Sequence, residues 1–208
     1  MRIIVAITGA TGAVFGVRLL EALEELGVER HLIVSRWGAA TLLKETGRGA
    51  RELAAQASVV HSRNNIGASI ASGSFRHDGM IVAPCSVRTL AAIRHGGAEG
   101  LIPRAADVTL KERRRLVLLV RETPLNDIHL ENMLALSRMG AVIAPPVPAF
   151  YNDPVTIDDV IDHTVGRVLD LFGLEPPRLR RWVGMGTNGT RAAGTVRREM
   201  ASIGTGHE

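Results

Sequence analysis

The chain of 208 residues is long enough for one well-filled domain, and its 46% hydrophobic and 22% charged residues are ordinary for a globular protein. A net charge of +4 is too small to indicate nucleic-acid binding, and no helix presents a basic face with base-reading side chains. The charge does suit anionic small molecules. Cys85 is the single cysteine, which excludes an internal disulfide and a thiolate metal cluster.

Apolar runs alternate with helix-period segments along the chain. Strands are predicted over 2–8, 29–35, 79–84, 115–120 and 141–145, with a shorter candidate near 57–62. Helices are predicted over 12–27, 37–46, 86–96, 126–140 and 156–173. This alternation predicts an α/β fold, a doubly wound parallel sheet with helices on both faces. We expect one domain over 1–182 and a flexible Gly- and Thr-rich extension over 183–208.

No targeting or membrane segment is expected. The first residues enter a strand directly and lack the apolar region and cleavage site of a signal peptide. No apolar run approaches the roughly 20 residues of a membrane helix. The sequence therefore predicts a cytoplasmic protein.

Ligands of open α/β sheets bind outside the carboxyl ends of the strands, so the residues directly after each predicted strand are the candidate site. These residues are Gly9 to Gly12, Ser35 to Trp37, Pro84 to Thr89, Arg121 to Thr123, and Pro145 to Tyr151. Hydroxyl, small and guanidinium side chains dominate the set. It predicts an anion site.

The turn Gly9-Ala10-Thr11-Gly12 precedes a helix whose first backbone N–H groups would be a natural phosphate seat; a tight turn without ligand is the alternative. Thr11 stands where the dinucleotide fingerprint requires glycine. Ser35 stands where a dinucleotide enzyme would place the acid that binds the ribose. A mononucleotide is therefore favoured over NAD.

The fourth predicted strand is followed by Cys85 and by a helix start at Ser86. Ser86 is expected to be the N-cap of that helix, either as a cap alone or as part of a phosphate site with Arg88 and Thr89. Cys85 is expected to pack as a small buried residue.

The strand "RLVLLV" ends on Arg121 and Glu122. The planar guanidinium group of Arg121 suits a bidentate contact with phosphate. Glu122 is either a proton carrier or a salt-bridge partner that neutralises Arg121. The segment "LKERRR" is by default a solvated helix end, but Lys111 could also converge with Arg121. Arg167 is either a surface charge or a ligand contact, and Tyr151 is one of few aromatic residues that could close a pocket. The seven histidines show no metal-ligand spacing, so no metal site is predicted.

Many long motifs, in one order over roughly residues 2 to 182, resemble the UbiX/Pad family of flavin prenyltransferases. They include "ITGATGAVFGVRLLEAL", "GASIASGSF", "MIVAPCSVRTLAAI", "RAADVTLKERRRLVLLVRETPL", "HLENM", "PPVPAFY", "TIDDVIDHTVGRVLDLFG" and the closing "RW". The resemblance implies a flavodoxin-like fold and a homododecamer. It also implies metal-independent transfer of a dimethylallyl group from dimethylallyl monophosphate to N5 and C6 of reduced FMN, giving prenylated FMN for a UbiD-type decarboxylase.

The resemblance also implies roles for individual residues. FMN would be held by Gly9, Ala10, Thr11, Ser35, Ser86, Val87, Arg88, Thr89 and Arg121. The prenyl phosphate would be met by Lys111, Arg121, Glu122, Tyr151, Arg167 and Arg104, with Glu45 as a further active-site glutamate and Trp182 as the aromatic near the pocket.

The sequence departs from the family pattern in two motifs. Thr11 replaces the usual serine and keeps its hydroxyl, while Val87-Arg88 replaces Met-Lys and changes the geometry of the cation. Two further hypotheses are direct decarboxylation of aromatic acids with bound FMN and a non-catalytic flavin carrier.

Overall fold

The computed structural model describes residues 1–97 and 100–176, together with Leu179, Arg181 and Gly184. Its centre is a six-stranded sheet, and every strand pair in it is parallel. The strands are β1 (Arg2–Ile7), β2 (Glu29–Val34), β3 (Val59–His61), β4 (Gly79–Cys85), β5 (Arg115–Val120) and β6 (Val142–Ile143). The predicted parallel α/β sheet is confirmed, with strand ends within a few residues of the prediction.

The order across the sheet is β3-β2-β1-β4-β5-β6. The outermost strand, β3, has three residues. Without it the order is β2-β1-β4-β5-β6, which is the flavodoxin-like order. The chain builds outward from β1 on one side and then from β4 on the other. The topological switch point therefore lies between β1 and β4.

Helices cover both faces of the sheet. They are α1 (Ala13–Glu25), α2 (Arg36–Thr46), α3 (Ala50–Ala54), α4 (Val87–Arg94), α5 (Leu101–Lys111), α6 (Asp127–Arg138) and α7 (Ile157–Asp170). The helices α1, α2, α3 and α7 contribute to the core on one face, and α4, α5 and α6 to the core on the other. The five predicted helices are confirmed, and α3 and α5 are additional to the prediction.

The strands supply side chains to both cores because successive residues point to opposite faces. In β5, Val117 and Leu119 pack on the α1 and α7 side, while Leu116, Leu118 and Val120 pack on the α4 to α6 side. Each fully buried aliphatic side chain of this kind contributes about 1.5–3 kcal/mol of hydrophobic stabilisation. The continuous apolar run of β5 is thus explained by burial on both faces.

Helix α2 packs unusually close to β1 at its first turn. A Cβ atom on Gly38 would lie 2.4 Å from the carbonyl oxygen of Ile7, which no side chain can tolerate. The backbone N–H of Ser35 donates to that same oxygen at 3.0 Å. Glycine at position 38 therefore sets how near the start of α2 lies to the carboxyl end of β1.

Candidate functional site

The carboxyl ends of β1 and β4 are joined at the switch point by the side chain of Thr8. Its hydroxyl donates to the carbonyl oxygen of Pro84 at 2.7 Å and accepts from the backbone N–H of Ser86 at 2.9 Å. Thr8 is buried. This contact fixes the start of α4 beside the turn that follows β1, at the place where doubly wound sheets bind ligands.

A cavity of about 460 Å³ opens at this edge of the sheet. The predicted residues Gly9, Ser35, Ser86, Arg88 and Thr89 all line it. Three helices begin at its wall, since the lining includes first-turn residues of α2 and α5, and the N-cap and first-turn residues of α4. Helix N-termini carry unsatisfied N–H groups and partial positive charge, so this convergence favours an anion.

The hydroxyl groups at two of these helix starts are N-caps. The side chain of Ser35 accepts from the N–H of Gly38 at 2.9 Å, and that of Ser86 accepts from the N–H of Thr89 at 3.3 Å. The predicted cap at Ser86 is confirmed. A capping hydroxyl uses its oxygen as an acceptor and keeps its hydrogen to donate. Ser35 can therefore cap a helix and still donate to a bound anion. The hydroxyls of Ser86 and Thr89 lie 3.1 Å apart and form one hydrogen bond with each other, which leaves one of their two hydrogens for an anion.

Arg36 and Trp37 also line the cavity; they belong to the candidate range Ser35 to Trp37 but were assigned no role. Arg63 and Asn64 line it too and fall outside every candidate range. Arg36 and Trp37 directly follow β2, and Arg63 and Asn64 follow the short strand β3. Together with Arg88 the two arginines put three guanidinium groups at the wall, and the described lining contains no Asp or Glu. The position of Trp37 depends on Gly9, where a Cβ atom would lie 2.5 Å from the tryptophan Cβ. The donor set fits a phosphate monoester.

The first turn of α1 differs from the prediction. Its backbone N–H groups were expected to be free for a phosphate, but those of Gly12 and Ala13 donate to the carboxylate of Glu45 at 2.9 and 2.8 Å. The hydroxyl of Thr11 also donates to Glu45. The carboxylate of Glu45 thus occupies the N-terminus of α1. The position left for a phosphate is the cavity at the starts of α2, α4 and α5.

Arg121 and Glu122 follow β5 at the same edge of the sheet. The backbone N–H of Arg121 donates to the carbonyl oxygen of Cys85 at 3.1 Å, which ties it to the end of β4. Glu122 accepts from the N–H of Thr123 at 3.0 Å. Within the described chain the two side chains form no ion pair with each other. The neutralising salt bridge left open by the sequence is therefore not formed.

Lys111 lies at the other end of the sheet, whereas Arg104 lies in the first turn of α5, next to Pro103 at the cavity wall. Lys111 ends α5 and precedes β5, so a strand of six residues, roughly 20 Å, separates its position from that of Arg121. Lys111 pairs with Glu112, and Arg104 donates to the carbonyl oxygen of Ala71 at 3.2 Å. Lys111 and Arg121 therefore do not converge within one chain, because the strand between them runs the full depth of the sheet.

Tyr151 and Arg167 form a third group. The tyrosine hydroxyl lies 3.1 Å from Nε2 of His163 on α7, and Arg167 is one helical turn further along the same helix. Arg167 pairs with Asp170 at 2.9 Å. Ala10 and Val87 flank the cavity in sequence without lining it. Trp182 and the predicted extension 183–208, apart from Gly184, lie outside the described residues.

Cys85 is fully buried, and this burial raises the pKa of its thiol to about 12. The prediction that Cys85 packs as a small buried residue is confirmed. Across residues 1–97 and 100–176, no three His, Cys, Asp or Glu side chains are grouped to hold a metal ion. No described helix has the length and apolar character needed to cross a bilayer.

Comparisons with known proteins agree with this geometry. The Flavoprotein family model matches residues 1–169. A probable UbiX-like flavin prenyltransferase of a Streptomyces strain is 61% identical over 89% of this chain and 93% of its own length.

Two crystal structures are similar throughout. The dodecameric FMN-dependent UbiX-like decarboxylase from Escherichia coli O157:H7 has a TM-score of 0.87 and 59% identity, over 88% of this chain and 100% of that one. A UbiX protein (PadA1) in complex with FMN and dimethylallyl pyrophosphate has a TM-score of 0.87 and 56% identity, over 88% of this chain and 97% of that one.

Proposed function

The chain belongs to the UbiX-like flavin prenyltransferases, and we propose that it transfers a dimethylallyl group from dimethylallyl monophosphate to N5 and C6 of reduced FMN. The observation that carries the proposal is the cavity of about 460 Å³, where three helix starts and three arginines meet without a described carboxylate. A relative with 56% identity holds FMN and dimethylallyl pyrophosphate in its crystal structure.

The cavity suits the phosphate of FMN. Ser35 and one of the paired hydroxyls of Ser86 and Thr89 would donate, and Arg63 and Arg88 would supply charge. When bound, the reduced flavin supplies the nucleophilic nitrogen and carbon of the reaction. Arg121 and Glu122 lie at the edge of the sheet that bounds this site. Glu122 would carry a proton between flavin and departing phosphate on its carboxylate oxygens.

The protein must also stabilise the leaving group. Breaking an allylic C–O bond leaves a carbocation and a phosphate whose charge grows in the transition state. Fixed cations placed at that phosphate lower the barrier more than mobile groups or water would, because they need no reorganisation as the charge develops. Lys111, Arg121 and Arg167 are the proposed cations, with Arg104 nearby and Tyr151 as a hydrogen-bond donor. They would do what a divalent ion does in other phosphate chemistry.

These cations lie in three places in one chain: the carboxyl end of β5, the end of α5, and α7 with its preceding loop. We therefore propose that each site is assembled from more than one copy, in a homododecamer like that of the Escherichia coli relative. Exposed apolar side chains are available for such contacts. They are Ile128, Leu130 and Leu134 on α6, and Val147, Phe150, Val155 and Ile157 before and at the start of α7.

Complementation between two inactive variants tests this assembly. Lys111→Ala and Arg121→Ala should each lose transfer, and co-expression of the two chains should restore part of it. Mixed assemblies then contain sites that take Lys111 from one copy and Arg121 from another, as a heterologous interface allows. If both residues of a site came from one chain, no mixture would contain an intact site. Absence of recovery in purified mixed oligomers would contradict the shared site.

Mass spectrometry of the flavin tests the reaction itself. The protein is incubated with FMN, a reductant and dimethylallyl monophosphate, and a mass gain of one dimethylallyl group supports transfer. Unchanged flavin with release of carbon dioxide from a phenolic acid would support direct decarboxylation instead. Neither result would support a flavin carrier. Glu122→Gln should bind FMN as the wild type does and transfer more slowly; undiminished transfer would remove Glu122 from the mechanism.

We further propose that the product serves a UbiD-type decarboxylase and that the protein acts in the cytoplasm. The buried free thiol of Cys85 is compatible with a reducing compartment. Release of prenylated FMN to a purified decarboxylase of that type, measured as gain of decarboxylation, tests the partnership.

A further inference from the structure

Tyr151 is held by a buried histidine that the proposed mechanism does not use. Its hydroxyl lies 3.1 Å from Nε2 of His163, and the two rings meet edge to face with centroids 5.6 Å apart. Tyr151 is 48% exposed, whereas His163 is 8% exposed. The phenol hydroxyl therefore contacts a buried group, while about half of the surface of the tyrosine residue is exposed.

His163 is in turn held by Asn152. The side-chain nitrogen Nδ2 of Asn152 lies 3.1 Å from Nδ1 of His163. With the amide in this orientation its nitrogen donates, so Nδ1 accepts and the imidazole proton is on Nε2. Burial lowers the pKa of His163, and the positive charge of Arg167 lowers it further. Both effects favour the neutral ring, which has one N–H group and one acceptor nitrogen.

This arrangement sets the polarity of the tyrosine hydroxyl. With its proton on Nε2, His163 donates to the phenol oxygen, and the phenol O–H is then directed as a donor to a different group. We propose that His163 is a positioning residue that, through Asn152, presents Tyr151 as a hydrogen-bond donor to the phosphate of the prenyl substrate. The inference rests on the proposed function and adds two residues, Asn152 and His163, to its site.

The reversed arrangement would not serve an anion. If the amide were turned, Asn152 would accept from Nδ1–H, and Nε2 would have to accept the phenol hydrogen. Tyr151 would then present only lone pairs to a phosphate. In the orientation that the structure shows, the buried Oδ1 atom of Asn152 has no hydrogen-bond partner in the described chain. The orientation with Nδ2 toward the histidine is the one that supports a donor at Tyr151.

A double-mutant cycle on the full-length protein tests the inference. Tyr151→Phe should lower kcat/KM for dimethylallyl monophosphate roughly 10- to 100-fold, as loss of a hydrogen bond to a charged group does. His163→Phe keeps a ring in the buried position and should lower kcat/KM roughly fivefold, the scale of one neutral hydrogen bond. In a Tyr151→Phe background, His163→Phe should change kcat/KM by less than about twofold, because the two act through one contact.

His163→Gln is the matched control. The glutamine amide can place an N–H donor near the position of Nε2, so this variant should keep transfer within about threefold of the wild type. FMN binding should be unchanged in all four variants, which separates the effect from a general loss of structure. If His163→Phe costs as much in the Tyr151→Phe background as in the wild type, His163 acts on folding alone and the inference is overturned.

The tautomer can be observed without turnover. Nitrogen NMR of protein with isotope-labelled histidine should show the His163 proton on Nε2, with the resonance assigned by its loss in His163→Gln. A proton on Nδ1 would overturn the inference even if the protein is an active prenyltransferase. Wild-type protein that shows the Nε2 proton but transfers no dimethylallyl group would instead refute the proposed function, and with it the role of Tyr151 toward a prenyl phosphate.

Discussion

Gly38→Ala tests whether the close approach of α2 to β1 shapes the candidate site. The added Cβ would lie 2.4 Å from the carbonyl oxygen of Ile7, whereas ordinary contacts begin at 3.4 Å. The helix start must therefore retreat by about 1 Å, because the obstacle is backbone. Overpacking of this kind costs about 1–3 kcal/mol. For a chain of this size we expect the melting temperature to fall by roughly 2–12 °C.

The same retreat moves Ser35, Arg36 and Trp37, which line the cavity. FMN affinity, measured by titrating flavin fluorescence, should therefore fall together with stability. Gly67→Ala is the control, because its Cβ would meet one atom at an ordinary 3.5 Å. Melting must be compared at equal protein concentration, since assembly makes it concentration-dependent. A Gly38→Ala protein that melts and binds FMN as the wild type does would refute the argument that this contact positions the cavity wall.

Three further outcomes follow from particular contacts. Glu45→Gln keeps one acceptor oxygen for the first turn of α1, removes the charge beside that helix start and replaces the second acceptor oxygen with a donor NH2 group; it should lower stability by about 1–2 kcal/mol, and an unchanged or raised melting temperature would contradict this. The hydrogen bond from Arg2, and then that from His31, lowers the pKa of Glu29 to about 2, so its stabilisation is full above the ordinary value of 4.5 and is lost as the pH falls from there toward 2. The Glu29 side chain is 38% exposed, so its contribution to acid-dependent stability is small. In Glu29→Gln the melting temperature should therefore depend slightly less on pH between 4.5 and 2 than in the wild type. A curve parallel to that of the wild type would refute the linkage. Cys85 should not react with a thiol reagent at mildly alkaline pH until denaturant exposes it, because burial raises its pKa to about 12; rapid labelling of the native protein would contradict the burial.

The fold could be predicted because its strands carry unambiguous patterns. "RLVLLV" and "RIIVAI" can be buried on both faces only in a covered parallel sheet, and the structure places them in β5 and β1. The sequence of α5 also carries a clear helical pattern, since Leu101, Ala105 and Val108 recur at helical spacing and are buried. Pro103 in its first turn obscures it, although proline is tolerated there because those N–H groups have no partner within the helix.

The candidate site divides into a part that the sequence predicts and a part that it does not. Residues directly after strands, such as Ser35 and Ser86, could be found because the topology puts all carboxyl ends at one edge. Arg63 follows a strand of three exposed or half-buried residues, whose pattern is too weak to mark what comes after it. The pairing of Glu45 with the start of α1 joins residues more than 30 positions apart. No local spacing encodes that contact.

The three groups of cations differ in how much they depend on assembly. The cavity at the starts of α2, α4 and α5 is lined by residues of one chain, so one copy supplies cations and helix starts for a phosphate there. Lys111 and Arg121 lie at opposite ends of β5, and no side-chain movement spans a strand of six residues. A leaving phosphate can therefore meet both only if a second copy brings its α5 to the carboxyl end of the first. FMN binding thus uses cations of one chain, whereas departure of the prenyl phosphate requires cations from two copies. The need for a second copy gives a physical reason for the exposed apolar surfaces of α6 and of the segment before α7.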